Sequence, residues 1–173
     1  MAGMLAAAAC FQLLSAQPSP PLSADQPLRG LSFLEGTWDA KTSRASSGID
    51  ASGAYTFKKE LDGHILARYS SSAGCVGPAD SDCKHGDLLY VYQDPVNRAL
   101  KAIYFDNEGH VIHYNVSTSG PDRAVFISDP TAPGAQYRLI YELKGAVMQG
   151  RFQIRQQGAA EWVSYLEWSG AKK

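Results

Sequence analysis

Charge, cysteine and long apolar runs are all scarce in this chain, and each scarcity excludes something. Charged residues are 19% of the sequence and sum to a formal net charge of -1. A general nucleic-acid or anionic-membrane binder needs a basic excess, and none is present. Beyond residue 20 no apolar run reaches the roughly 20 residues that cross a bilayer, so no integral membrane span is expected. The three cysteines are too few for a disulfide-dense miniature scaffold. Also missing are the G-x-S-x-G elbow, the HExxH helix and the phosphate-binding loop. Acidic residues are scattered at turns, where turn formation and solubility account for them. No catalytic residue and no cofactor are therefore implied. A small-barrel enzyme of isomerase or cyclase type, working with a few polar pocket groups, stays an alternative.

What is present points to one exported domain. A chain of 173 residues suits a single domain with a real core. Met4 to Leu14 is an apolar run of signal-peptide length, followed by the small residues Ser15 and Ala16. The expectation is a signal peptide over 1–16 and a Pro/Ser-rich linker over 17–30, with the domain at 31–170. The location would then be periplasmic or secreted. No Lys or Arg precedes the run, which is unusual for a signal. Cys10 follows Ala7-Ala8-Ala9, a faint lipoprotein box without its leading Leu, so lipid anchoring there is disfavoured. Cys75 and Cys83 remain as a pair around Gly77-Pro78. In an exported chain they read as a disulfide closing a surface loop. A metal site of Cys75, Cys83 and His85 matches no common zinc spacing, and no metal is expected.

The domain reads as strands throughout. Leu31 to Trp38, LSFLEGTW, gives a short apolar plug, a turn at Gly36 and a large anchor at Trp38. Asp62-Gly63 is a strong hairpin signal. Asp94-Pro95 stops a strand dense in large apolar residues, Leu88 to Gln93. The clearest period of two comes late, where Tyr137, Leu139, Tyr141 and Leu143 alternate with Arg138 and Glu142. Met148, Gly150, Phe152 and Ile154 repeat it. In the last strand Trp162, Leu166 and Trp168 are expected opposite Val163, Tyr165 and Glu167. Short connections between about ten strands predict an all-β fold, an antiparallel up-and-down barrel of about 8–10 strands, because closure removes two exposed edges.

Gly36-Thr37-Trp38 after an apolar plug resembles the G-x-W start of calycins, the superfamily of lipocalins, fatty-acid-binding proteins and nitrobindin-like barrels. Lys58 to Ile65 (KKELDGHI) and Tyr90 to Asp106 (YVYQDPVNRALKAIYFD) extend the likeness to bacterial lipocalin-like domains of unknown function. The resemblance covers most of Leu31 to Ser169. It implies a lipocalin-like barrel and says little about ligand, because such folds host many functions. The nitrobindin-like branch holds haem through a late His, and this chain departs from it, since its His are at 64, 85, 110 and 113. Haem would need His113, whose strand face is the less apolar one.

Alternation nominates Tyr69, Tyr90, Tyr92, Tyr104 and Tyr141 as ligand-binding, with hydroxyls that orient a polar group. Tyr55, Phe57, Phe152, Trp162 and Trp168 share that large-residue spacing. Arg68 is the candidate inward cation for a carboxylate, although its strand is apolar on both faces. Arg138 is expected outside. Gly36 and Trp38 are structural. The leading reading is an exported barrel that binds a small apolar or amphipathic molecule without catalysis, with no nucleic acid partner and no oligomeric state specified. The alternatives are a cell-envelope structural or interaction domain without a ligand, a small-barrel enzyme, and a haem binder.

Overall fold

The computed structural model describes residues 28–46, 48–78, 83–130 and 134–173. The expected signal segment, Cys10, the linker up to residue 27 and residues 79–82 of the cysteine loop lie outside the described residues.

A 3-10 helix at Arg29–Leu34 leads into ten strands: β1 (Gly36–Ala45), β2 (Asp50–Glu60), β3 (Ile65–Val76), β4 (Gly86–Gln93), β5 (Leu100–Asp106), β6 (Val111–Thr118), β7 (Arg123–Ser128), β8 (Gln136–Lys144), β9 (Val147–Arg155) and β10 (Val163–Lys172). Each pairs antiparallel with its sequence neighbours, and β1 also pairs with β10, so the sheet closes. The predicted all-β antiparallel barrel is the observed fold. Closure leaves no strand of the ten at an open edge.

The plug covers one end. Leu28, Leu31 and Leu34 are buried to 2%, 0% and 0% exposure. The Trp38 indole Nε1 donates to the Leu34 carbonyl at 2.8 Å, which ties plug to first strand. Gly36 makes the junction with φ +114°, a region that strains any side chain. Above the plug the interior is filled by rings. Tyr141 is their hub, with centroids 5.4 Å from Phe57, 5.7 Å from Trp168, 6.0 Å from Tyr55 and 6.1 Å from Phe126. Each such buried ring contributes about 1.5–3 kcal/mol. Gly150 is a packing necessity rather than a turn, since a Cβ there would fall 2.0 Å from the Trp168 ring.

Two local expectations are corrected. The β2–β3 connection is wider than a two-residue Asp-Gly hairpin. Glu60 pairs with Ile65, and Leu61, Asp62 and Gly63 all take positive φ between them. In β10 the register shifts between Ser164 and Leu166. That bulge breaks the alternation, so Val163 pairs with inward Ile154 and Glu167 pairs with outward Arg151. Trp162, expected among the large pocket residues, precedes the strand and lies on the outer wall beneath Arg138 and Arg155.

Candidate functional site

The polar site lies at the barrel end opposite the plug, where the connections after β1, β3, β5, β7 and β9 gather. Cross-strand register builds it. Leu66 and Leu89 are fully buried on the inner face, so Arg68 points inward from β3 and Asp87 from the start of β4. Arg68 is 6% exposed. Its guanidinium donates to the Tyr141 hydroxyl and to Asp87 Oδ1, while its Nε, also buried, has no hydrogen-bond acceptor among the described residues. Asp87 Oδ2 accepts from Ser70 Oγ at 2.5 Å and lies 3.4 Å from His85 Nε2.

The network continues around the rim. His85 Nδ1 is 3.0 Å from Glu108 Oε1, and its Nε2 is 3.3 Å from the Tyr104 hydroxyl. That hydroxyl donates to Asp106 Oδ2 at 3.1 Å, and His110 Nδ1 is 2.9 Å from the same oxygen. Positive and negative side chains thus alternate from the buried Arg68–Asp87 pair out to half-buried His85 and exposed Glu108 and His110. Burial alone would raise the Asp87 pKa, but the Arg68 charge and the hydrogen bonds from His85 and Ser70 hold it well below the usual carboxylate range. The Asp87 hydrogen bond raises His85 to about 9, aided by Glu108 and opposed by burial. Burial and the charges of Asp87 and Asp106 push the Tyr104 phenol up. Such a set holds its protons firmly near neutrality: Asp87 as a carboxylate, His85 as a cation and Tyr104 as a phenol. A group poised to trade a proton would titrate close to the working pH instead.

The opposite arc of this end is apolar. Tyr137 stacks on Phe152 with centroids 5.7 Å apart and planes 10° apart, and Tyr165 meets Phe152 edge-on at 6.1 Å. Tyr165 and Val163 are 41% and 65% exposed. A groove of about 440 Å³ opens on the polar arc. Its large side chains, Tyr69, Leu88 and Phe105, are paired across β3, β4 and β5 on the outer face, and Ser70, Gly86, Asp87, Asp106 and Asn107 complete the lining where that wall meets the rim.

Of the residues nominated from sequence, Arg68, Tyr104 and Tyr141 meet in this network. Tyr69, Tyr90 and Tyr92 lie on the outer wall, because their strands bury Leu66, Leu89 and Val91 instead. Tyr69 and Tyr90 meet edge-on there, 6.4 Å apart, and Tyr69 donates to Glu60 at 3.2 Å. Arg138 lies outside as expected, bonded to Gln153. Cys75 and Cys83 form the expected disulfide, with Cα atoms 5.3 Å apart, which removes them as thiolate ligands. His113 is exposed on the outer face, pairing with outward Ile103, and so cannot reach the interior.

Asp87, Asp106 and Ser70 were not foreseen. Only the pairing register, which sets Ser70 opposite Asp87 and Asp87 opposite Asp106, brings them together. Asp106, Glu108 and His110 offer ligand atoms within 4.8 Å of one another and could hold a metal ion. Asp106 Oδ1 already accepts the backbone N–H groups of Glu108 and His110. These features define a closed antiparallel barrel with one sealed apolar end and one two-sided polar and apolar end. No family model and no curated protein matches the chain.

Proposed function

We propose that the protein is an exported lipocalin-like barrel that binds a small amphipathic molecule without catalysis, at the end opposite the plug. The observation that carries this reading is the division of that end. The Arg68–Asp87 cluster occupies the β3–β6 arc, and the Tyr137–Phe152–Tyr165 rings occupy the β8–β10 arc. A polar group would sit over the first, where a buried Arg68 N–H lacks an acceptor among the described residues. An apolar portion would lie along the second. Export is supported by the disulfide and by the apolar run at Met4 to Leu14. The competing reading, a cell-envelope domain without a ligand, draws on the ring-filled middle of the barrel around Tyr141.

Native mass spectrometry of protein purified without denaturant tests the choice. The expected spectrum carries an adduct of lipid-like mass that organic extraction removes and that Phe152→Asp fails to retain. A bare mass, together with no binding of an apolar fluorescent probe, would overturn ligand binding and favour the envelope domain.

A further inference from the structure

The outer wall of β7–β9 concentrates positive charge that the balance of the whole chain hides. Register sets one arginine on each successive outward rung: Arg155 beside Gln136, Arg138 beside Gln153, Arg151 beside Ile140, and Arg123 beside Glu142. Alternate strand positions are about 7 Å apart, so the band runs roughly 20 Å along the barrel.

Three of these four cations are held by neutral groups. Arg138 Nε donates to Gln153 Oε1 at 2.8 Å, Arg155 donates to Gln136 Oε1, and Arg123 donates to Ser119 Oγ at 3.2 Å. Among the described residues none of these three has a carboxylate partner. Glu142 is engaged by Lys144 at 3.5 Å, and among the described residues Arg151 alone in the band approaches an acid, Glu167 at 3.7 Å. The forks are also pre-positioned. Arg138 and Arg155 both lie against Trp162, 4.5 and 4.6 Å from its ring centroid, and Gln153 is only 8% exposed. Burial, together with the neighbouring charges of Arg123, Arg151 and Arg155, pushes Arg138 below its ordinary value, as uncompensated like charges do.

We infer that this arginine band on the outer wall of β7–β9 binds a linear acidic polysaccharide. Guanidinium forks match carboxylate and sulfate groups bidentately. The side-chain amides between them suit sugar hydroxyls. A row of charges on a convex wall fits an extended chain rather than an enclosed small anion. Single-stranded nucleic acid fits less well, because it needs aromatic faces for its bases. The Trp162 ring already carries two guanidiniums. The inference does not depend on any ligand inside the barrel.

Binding of the full chain to polygalacturonate, with neutral dextran as control, tests it. The expected result is binding to polygalacturonate alone, weakening as salt rises. Combined Arg138→Gln and Arg155→Gln should lower affinity about fivefold per arginine, the upper end for an exposed ion pair. Because the Arg138 change strips a buried Gln153 of its partner, Arg123→Gln serves as a second variant, expected to lose about fivefold with an unchanged melting temperature. No binding at low ionic strength, equal binding to dextran, or full affinity in Arg123→Gln would overturn the assignment. So would tighter arginine-dependent binding to a single-stranded oligonucleotide or to phosphatidylglycerol vesicles, which would reassign the wall to those partners.

Discussion

At the plug end, Leu28, Leu31, Leu34 and Trp38 exclude water with side chains that carry almost no charge. At the other end, Arg68 and Asp87 are buried nearly as deeply, with side chains 7% and 8% exposed, and survive there only because each neutralises the other. The first arrangement is tolerant in kind: any apolar residue of the right volume serves, and losing one leaves a cavity. The second is intolerant in kind, since losing one partner strands a charge. The sealed end therefore reads as architecture, and the divided end is where the proposed ligand would meet both polar and apolar contacts.

Four experiments break or sharpen that contrast. The largest expected effect is at the plug, where Trp38→Ala should cost about 3–5 kcal/mol in urea unfolding. The loss should be the same at every pH where the barrel folds, and a strong pH dependence would show that the plug is not purely apolar packing. At the polar end Arg68→Met should cost a similar amount, about 3–5 kcal/mol, because Asp87 is left buried and unpaired. Adding Asp87→Leu should restore most of it. A double variant as weak as the single one would mean that Arg68 acts by packing its stem rather than by charge.

The disulfide, with a sequence separation of 8, closes part of the β3–β4 connection just before His85. Replacing both cysteines with serine should cost about 2–3 kcal/mol in the chain-entropy model, read as a lowered denaturation midpoint. A cost near zero would show that the polar network alone holds the loop. The smallest effect belongs to His85. Its pKa is raised from 6.5 to about 9 in the fold. The stability it adds is therefore fully present below about pH 6.5 and is lost as pH rises through about 9. His85→Gln should cost no more than about 1 kcal/mol at pH 6 and remove that alkaline decline. A decline that persists in the variant would assign it to another group.

The barrel was legible because hairpin turns and a period of two repeat along the chain. Turn chemistry is local, and Asp94-Pro95, Lys144-Gly145 and Gln157-Gly158 interrupt pairing wherever they stand. Strands with one wet face, such as Gln136–Lys144, also declare which side is inner. Gly86–Gln93 does not, because Leu88, Tyr90 and Tyr92 alternate with Leu89 and Val91 and both sets are apolar. Its three-dimensional setting explains the ambiguity: the outer rings cover the neighbouring wall, where Tyr90 meets Tyr69. The bulge after Ser164 was equally silent, since an extra residue leaves no mark on composition.

The sequence by itself determined the strand order, the plug, the anchors Gly36 and Trp38, and the cysteine pairing, because each rests on neighbours along the chain or on composition. Only the tertiary structure decided that Arg68 points inward and that Asp87 meets it, because register between distant strands sets who faces whom. It also decided that a chain of net charge -1 carries an arginine band on one wall. Net charge is a sum over residues, whereas a surface is made by the positions those residues take.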